Sequence, residues 1–393
     1  MKITWVTRAF ADYRIPVYRE VNKLTNENLT IIYNKDIVRK HLSEKLEHLI
    51  GSRAIGLSGE KILFGQKNEN SAFANSYLRI PFQKKLISSL ISTSPDVMLS
   101  DGFFQWTYAP LYANLRNKIP HVMCYERTMH TERNVQWYRE KYRKMAMKRI
   151  DRIICSGKLC GEYILSLGYP KDKIGYGHMV ADVTQLASKT KATSNEKIIE
   201  LKHKFNAEQV FLYTGQIIPR KGIKELVNAW GNSKMSNNRK AALVLIGNGS
   251  QMDEIRALIR QKNSSNIFLI GKVPYEEIAT YYAMADVFII PTLEDNWSLV
   301  VPEAMSAGLP IICSMYNGCW PELVTKENGW VFDPLNELEF TQTLLTTFEN
   351  RDSFTRMGIM SQQIVLNHSP EQAAQAIWQA CNMAYNNTKH SML

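Results

Sequence analysis

Residues Pro291 to Cys313 read PTLEDNWSLVVPEAMSAGLPIIC, and their arrangement decides the fold. The apolar run Val287–Ile290 leads into a polar loop that holds Glu294, Asp295, Asn296 and Ser298. A helix is expected to open near Val300, carry Glu303 and stop at Gly308-Leu309-Pro310, where the next apolar run begins. Strand, acidic loop and helix in that order form one arm of a βα unit. They place carboxylates and the amides of a helix start, such as those of Leu299 and Val300, at a strand's carboxyl end. Open parallel sheets bind ligands at that edge. Amides and the positive end of a helix attract phosphate, while carboxylates accept hydrogen bonds from hydroxyls. A ligand that is part phosphate and part polyol satisfies both.

The pattern repeats on either side. Short apolar runs alternate with longer helical patterns at a spacing that suits βα units. In the first half the expected strands are Ile3–Val6, Leu29–Tyr33, Asp96–Leu99, His121–Tyr125 and Arg152–Cys155. In the second they are Val210–Tyr213, Ala242–Ile246, Ile267–Ile270, Val287–Ile290, Pro310–Cys313 and Trp330–Phe332. A chain of 393 residues exceeds one ordinary core. The expectation is therefore α/β architecture with two doubly wound, Rossmann-like parallel-sheet domains facing a cleft. Residues 1–190 and 198–368 form the domains, and the polar stretch Ala187–Lys197, ASKTKATSNEK, reads as the linker. Residues 369–393 read as a C-terminal helix packing back toward the first domain. Ser369 is its N-cap, Pro370 opens it, Gln372 completes a capping box, and Ala374, Ile377, Trp378, Cys381 and Ala384 form its apolar stripe.

Charge separates the halves. The net charge is +11, yet residues 1–200 hold 32 Lys and Arg against 19 Asp and Glu, while residues 201–393 hold 16 against 18. The densest basic segment is Arg133–Arg152, RNVQWYREKYRKMAMKRIDR, with Trp137, Tyr138, Tyr142, Met145 and Met147 among its cations. It reads either as a solvated amphipathic helix or as a surface for anionic membrane lipid. No nucleic-acid-binding motif accompanies the charge. No apolar run reaches the length of a membrane span, the N-terminus lacks a signal-peptide pattern, and Cys124, Cys155 and Cys313 sit in strand-like runs as buried thiols. Cys155 and Cys160 lack a second Cys/His pair at zinc spacing. A cytoplasmic location, at the inner face of the cytoplasmic membrane if the lipid surface is used, is the expectation.

Three further segments bear on chemistry. In Tyr213-Thr214-Gly215-Gln216-Ile217-Ile218-Pro219-Arg220-Lys221-Gly222 a strand ends, Gly215 permits a tight turn, and two cations precede a helix. Arg220 offers a planar fork and Lys221 a point charge, a pair able to clamp a diphosphate. Gly247-Asn248-Gly249 opens like a dinucleotide fingerprint, but Met252 stands where the third glycine belongs, so it reads as a tight strand-to-helix turn. Around Gly271-Lys272-Val273-Pro274 the backbone at Val273 can read a base edge.

Residues 205–335 resemble the donor domain of a retaining, GT-B-fold glycosyltransferase of family four, the group 1 glycosyl transferases. The family's E-x7-E signature corresponds to Asp295-Asn296-Trp297-Ser298-Leu299-Val300-Val301-Pro302-Glu303-Ala304-Met305-Ser306-Ala307-Gly308-Leu309-Pro310-Ile311. Gly215, Arg220 and Lys221 match its glycine and basic residues, and Asn317-Gly318-Cys319-Trp320-Pro321-Glu322-Leu323-Val324 its later turn. The first half resembles the family in layout alone. The chain departs in having Asp295, preceded by Glu294, as first acid, and Ser298 where the family has glycine. The family's first-half histidine falls within Tyr125-Glu126-Arg127-Thr128-Met129-His130, which leaves its role to Glu126 or His130. The first loop, Arg8 to Arg14, lacks the usual glycines.

The resemblance implies a hexosyltransferase (EC 2.4) that moves a sugar with retention from a nucleotide-diphosphate sugar, by default a UDP-sugar, to a hydroxyl acceptor. The first domain would bind the acceptor and the second the donor. Arg220 and Lys221 would neutralise the leaving diphosphate without a metal or other cofactor. Glu303 would hold the ribose, and Asp295 or Glu294 the sugar. The amides at Asn296, Ser298, Leu299 and Val300 would line the donor. With the basic first half, the expected acceptor is a lipid-linked saccharide of surface polysaccharide synthesis such as capsule, O-antigen or LPS. Two other readings use the same scaffold: a GT-B epimerase or phosphorylase, and a non-catalytic nucleotide-sugar-binding protein.

Overall fold

A computed structural model describes residues 1–63, 73, 80–236, 238 and 240–392. The chain divides into two compact units. Unit 1 comprises Met1–Val180 and Ser369–Leu393, and unit 2 comprises Ala181–His368.

Unit 1 holds β1 (Ile3–Thr7), β2 (Leu29–Asn34), β3 (Ala54–Leu57), β4 (Lys61–Ile62), β5 (Pro81–Phe82), β6 (Val97–Asp101), β7 (His121–Tyr125), β8 (Arg152–Cys155) and β9 (Ile174–Tyr176). Seven of these form a sheet in the order β3-β2-β1-β6-β7-β8-β9, every pair parallel, while β4 and β5 make a separate antiparallel ribbon. Side chains of β1 and β7 are buried throughout, as parallel strands covered on both faces require. The edge strands β3 and β9 are short and half-exposed, so no apolar run marks them in the sequence. The C-terminal helix Pro370–Met392 packs on the helix Arg14–Leu24 and along the sheet. The Gln372 amide donates to Ser369 Oγ at 3.4 Å. Ala373, Ala374, Ile377, Ala380, Cys381 and Ala384 are buried in the core that also holds Trp5, Val17 and Tyr18. Trp378 lies half-buried at the margin of that stripe.

Unit 2 holds β10 (Gln209–Thr214), β11 (Ala241–Ile246), β12 (Ile267–Gly271), β13 (Val287–Ile290), β14 (Ile311–Ser314) and β15 (Gly329–Phe332). They form one parallel sheet in the order β12-β11-β10-β13-β14-β15. The chain runs from β10 outward to β12 and then returns to place β13 on β10's other side. The sheet therefore has its switch point between β10 and β13, where open α/β sheets leave a crevice. The loops after these two strands are Gly215–Lys221 and Pro291–Leu299, the same stretches singled out from the sequence.

The stretch Ala187–Lys197, expected as the linker, is largely helical and lies within unit 2. It is divided between the helix Thr184–Lys191 and the helix Asn195–Lys204, the second capped by Ser194, whose Oγ accepts from the Lys197 amide. Leu186 is buried as the first helix packs against Tyr275–Met284 and Val300–Ser306. One apolar residue per two turns suffices to seat a polar helix, a signal too sparse to read in sequence. The unit boundary accordingly falls earlier, between Val180 and Ala181.

The side chain of Ile377 is fully buried. We expect Ile377→Ala to cost about 3 kcal/mol of stability by leaving a cavity, read as a lower denaturation midpoint.

Candidate donor-binding site

The turn Pro219–Lys221 is fastened to the loop after β13 by one carbonyl. Arg220 O accepts from Thr292 Oγ1 at 2.9 Å, from the Leu293 amide at 2.8 Å and from the Glu294 amide at 3.2 Å. In return Arg220 Nη1 donates to Glu294 O at 3.3 Å, and Nη2 reaches Gln216 Oε1 at 3.5 Å. Gly222 makes the approach possible. Its φ is +70°, and a Cβ there would lie 1.9 Å from Pro291 O. The same argument holds at Gly247, where a Cβ would lie 1.6 Å from Gly215 O, so these glycines allow neighbouring loops to touch backbone to backbone.

The fastening brings Lys221 Nζ onto Asp295 Oδ2 in a part-buried ion pair, and Ser298 Oγ donates to the same oxygen at 2.5 Å. Burial pushes the Asp295 carboxyl up. Lys221, the hydrogen bonds from Lys221 and Ser298, and Arg220 more than offset it and hold the group below the usual carboxylate range. The two departures from the family signature therefore meet: the shorter first acid and the serine are bonded to each other. The signature loop is also tied to the turn after β14. The Gly318 amide donates to Asp295 O at 3.0 Å, and the Ser298 amide to Asn317 Oδ1 at 3.4 Å. Glu294 is buried beside Arg220, its amide on the Arg220 carbonyl.

Glu303 lies in the helix Val300–Ser306, with Leu299 at the N-cap. Burial raises its carboxyl to about 7, and a hydrogen bond from Tyr282 partly counters this. Tyr282 Oη lies 3.0 Å from Glu303 Oε2 and 2.8 Å from Thr214 Oγ1. Neither Tyr282 nor Thr214 was singled out from the sequence. Tyr282 lies in an ordinary amphipathic helix and Thr214 at a strand's last position, so nothing local marks them. The signature helix has seven residues and a correspondingly small dipole, which leaves Arg220 and Lys221 as the larger positive charges here. Val273 lies in the loop after β12, half-buried, two strands from β10. Gly215, with φ +151°, directly follows β10. Unit 2 thus gathers Gly215, Arg220, Lys221, Glu294, Asp295, Asn296, Ser298, Leu299, Val300 and Glu303 on the loops and helix beside its switch point.

Glu126 and His130 belong to unit 1, in the segment that follows β7. The Glu126 carbonyl accepts from Ser156 Oγ at 3.4 Å. The basic segment beyond it forms an amphipathic helix with one buried and one solvated face, and the buried face includes two of its arginines. Within the helix Trp137–Met147, Arg139 and Arg143 are buried. Arg143 Nη2 lies 2.8 Å from Glu132 Oε1, with Arg127 at 3.3 Å from the same carboxylate, and its guanidinium stands over the rings of Phe104 and Tyr163. The opposite face presents Trp137, 75% exposed, Met145, 57% exposed, and Lys141, Lys144 and Lys148. A shallow concavity of about 380 Å³ runs along it. The six cysteines are buried free thiols. Among the described residues no helix is long and apolar enough to cross a membrane.

Comparison with known proteins agrees with this geometry. Residues 194–363 match the family Glycosyl transferases group 1. The chain is 28% identical to O-antigen chain mannosyltransferase B of Escherichia coli over 172 residues, covering 43% of this chain and 42% of that protein. It is 22% identical to the sulfoquinovosyl transferase SQD2 of Arabidopsis thaliana over 360 residues, covering 88% of this chain and 64% of that one. The first relatives are thus matched over less than half of their length. In fold, HepE of Anabaena, solved in complex with UDP, superposes with a TM-score of 0.74 at 14% identity over 98% of this chain and 100% of HepE. A lipopolysaccharide outer core galactosyltransferase, WaaB, superposes with a TM-score of 0.67 at 15% identity over the whole of both chains. The two parallel-sheet units are those of the GT-B fold, and the match to the group 1 glycosyl transferases falls within unit 2, at residues 194–363.

Proposed function

We propose that this chain is a retaining glycosyltransferase that takes a sugar from a nucleotide-diphosphate sugar, a UDP-sugar by default, and passes it to a hydroxyl acceptor. The observation that carries the reading is the pairing of the Pro219–Lys221 turn with the signature loop. It sets two cations beside the first signature acid, eight residues before Glu303. The difficult step is departure of the nucleoside diphosphate, whose bridging oxygen gains negative charge as the glycosidic bond breaks. Arg220 and Lys221 are the groups to meet that charge. Lys221, already seated on Asp295, is positioned before the donor arrives, so little reorganisation is needed when the phosphates enter. Glu303 accepts hydrogen bonds from the ribose, and Asp295, with Glu294 behind it, lies where the sugar would sit. Two side-chain cations provide the neutralisation that a divalent ion supplies elsewhere, so the proposed reaction needs no metal. With retention, the leaving phosphate is the base proposed to take the acceptor's proton, and Glu126 the unit 1 group proposed to assist at the acceptor.

The acceptor is proposed to be a lipid-linked saccharide in surface polysaccharide synthesis. The E. coli relative, named for the O-antigen chain, supports this, as does the outward face of Trp137, Lys141, Lys144, Met145 and Lys148. An aromatic residue and a methionine among lysines suit the interface of an anionic membrane, at its cytoplasmic side.

A thermal-shift panel of UDP, GDP, ADP and CMP identifies the nucleotide, since a ligand bound only by the folded state raises Tm. With the matching nucleotide sugar, Arg220→Ala and Lys221→Ala are each expected to lower kcat/KM about a hundredfold, as loss of one charge-stabilising donor does. Turnover like the parent's in both would overturn the mechanism, and release of an isomerised nucleotide sugar without acceptor would replace it with epimerisation.

Binding of the nucleoside diphosphate should depend on pH through Glu303. Its carboxyl is raised to about 7 by burial, and ribose hydroxyls donate to the ionised form. Affinity is therefore expected to rise with pH through about 7, level off above it and weaken toward pH 6. Glu303→Gln should bind more weakly and lose that dependence in calorimetric titrations at several pH values.

Sedimentation with phosphatidylglycerol-containing vesicles at low salt should capture the protein. Replacing Lys141, Lys144 and Lys148 together by Glu should abolish capture, and neutral phosphatidylcholine vesicles should not bind.

A further inference from the structure

Glu303 lies in a helix of seven residues, and a long carboxylate side chain without a fixed partner keeps rotamer freedom that it loses on binding. The structure supplies that support from two other elements of unit 2. Tyr282 lies on the helix Tyr275–Met284 and is fully buried, its ring beside Phe288 of β13 at 6.0 Å. Its hydroxyl stands 3.0 Å from Glu303 Oε2. On its other side the hydroxyl is 2.8 Å from Oγ1 of Thr214, the last residue of the central strand β10. Thr214 is itself almost wholly buried. When Glu303 is ionised, a consistent direction of donation runs from Thr214 Oγ1–H to Tyr282 Oη, and from Tyr282 Oη–H to Glu303 Oε2. Oε2 then accepts a hydrogen bond from the protein, which holds the carboxylate through one of its two oxygens.

We propose that Tyr282, seated on Thr214, is a positioning residue that fixes the Glu303 carboxylate for ribose recognition. The inference rests on Glu303 holding the ribose and adds what makes that contact selective. A carboxylate anchored through one oxygen presents the other at a set angle to a pair of vicinal hydroxyls. An unanchored one has to lose rotamer freedom on binding, which weakens the contact. Burial and the Tyr282 bond are the influences that set the proton affinity of Glu303. Removing the bond disfavours the ionised form further.

Tyr282→Phe deletes the hydroxyl and keeps the ring. The test compares, by calorimetry, the nucleoside diphosphate from the thermal-shift panel with its 2′,3′-dideoxy counterpart, for the parent, Tyr282→Phe, Thr214→Val and Glu303→Gln. The parent is expected to prefer the ribose form by about tenfold, the scale of a hydrogen bond to a charged group. Tyr282→Phe should lose most of that preference while binding the dideoxy form as the parent does, and the pH at which binding reaches half strength should move upward. Thr214→Val should move in the same direction by less. A Tyr282→Phe protein that keeps the parent's preference and pH midpoint overturns the inference, whatever its Tm. If Tyr282→Phe instead binds both forms equally more weakly, the hydroxyl acts on the site as a whole and the inference also fails. A parent without preference for ribose removes the ribose role of Glu303, and the inference with it, while leaving diphosphate binding by Arg220 and Lys221 standing.

Discussion

One carbonyl oxygen holds the candidate donor site together. Arg220 O accepts from Thr292, Leu293 and Glu294, so the turn after β10 and the loop after β13 cannot move apart without stranding three buried donors. The consequence reaches the side chains. With the backbones fastened, Lys221 has Asp295 within reach, and two opposite charges that would each be costly to desolvate alone are partly buried as a pair. Gly222 is the steric condition for this contact, because any side chain there would collide with Pro291 O. The cation proposed to meet a diphosphate, Lys221, is thereby held in place by the protein's own anion.

Two charged clusters among the described residues follow different logic. In unit 2 the Lys221–Asp295 pair is small and lies at the sheet's switch point. In unit 1, Glu132 serves as counter-ion for Arg143 and Arg127, and aromatic rings cover the guanidinium of Arg143. That network anchors one face of the basic helix and leaves the other, with its three lysines and Trp137, turned to solvent. Net charge by itself does not separate these roles. Of the cations in this segment, two arginines work inward and the lysines outward, so the surface charge is lower than composition suggests but is gathered on one face.

Much of the fold could be read from the residues, for a physical reason. Parallel strands covered on both faces must be apolar along their length, and runs such as FLYT, LVLI and VFII have few other uses in a soluble chain. The edge strands β3 and β9 escaped notice because they need no such run. The helix Thr184–Lys191 was hidden because a single leucine anchors a polar segment that otherwise reads as linker. In the site, the residues that carry charge announced themselves by type and spacing, as with Arg220, Lys221 and the acids of the signature. The residues that hold them did not. Thr214, Tyr282, Asn317 and the Arg220 backbone carbonyl are unremarkable in sequence, and they acquire their roles from neighbours between 19 and 74 residues away.

The sequence by itself determined the class of architecture, the strands at the centre of each sheet, and which charged groups lie in the loops after β10 and β13. Periodicity and residue type are local properties and survive without knowledge of contacts. Tertiary structure alone decided that Asp295 is bonded to Ser298 and Lys221, that Glu303 leans on Tyr282, and that Arg143 faces inward. Those facts depend on strand order. Once the chain returns from β12 to lay β13 against β10, segments far apart in sequence become neighbours, and hydrogen bonding between them fixes which polar atoms are satisfied within the protein.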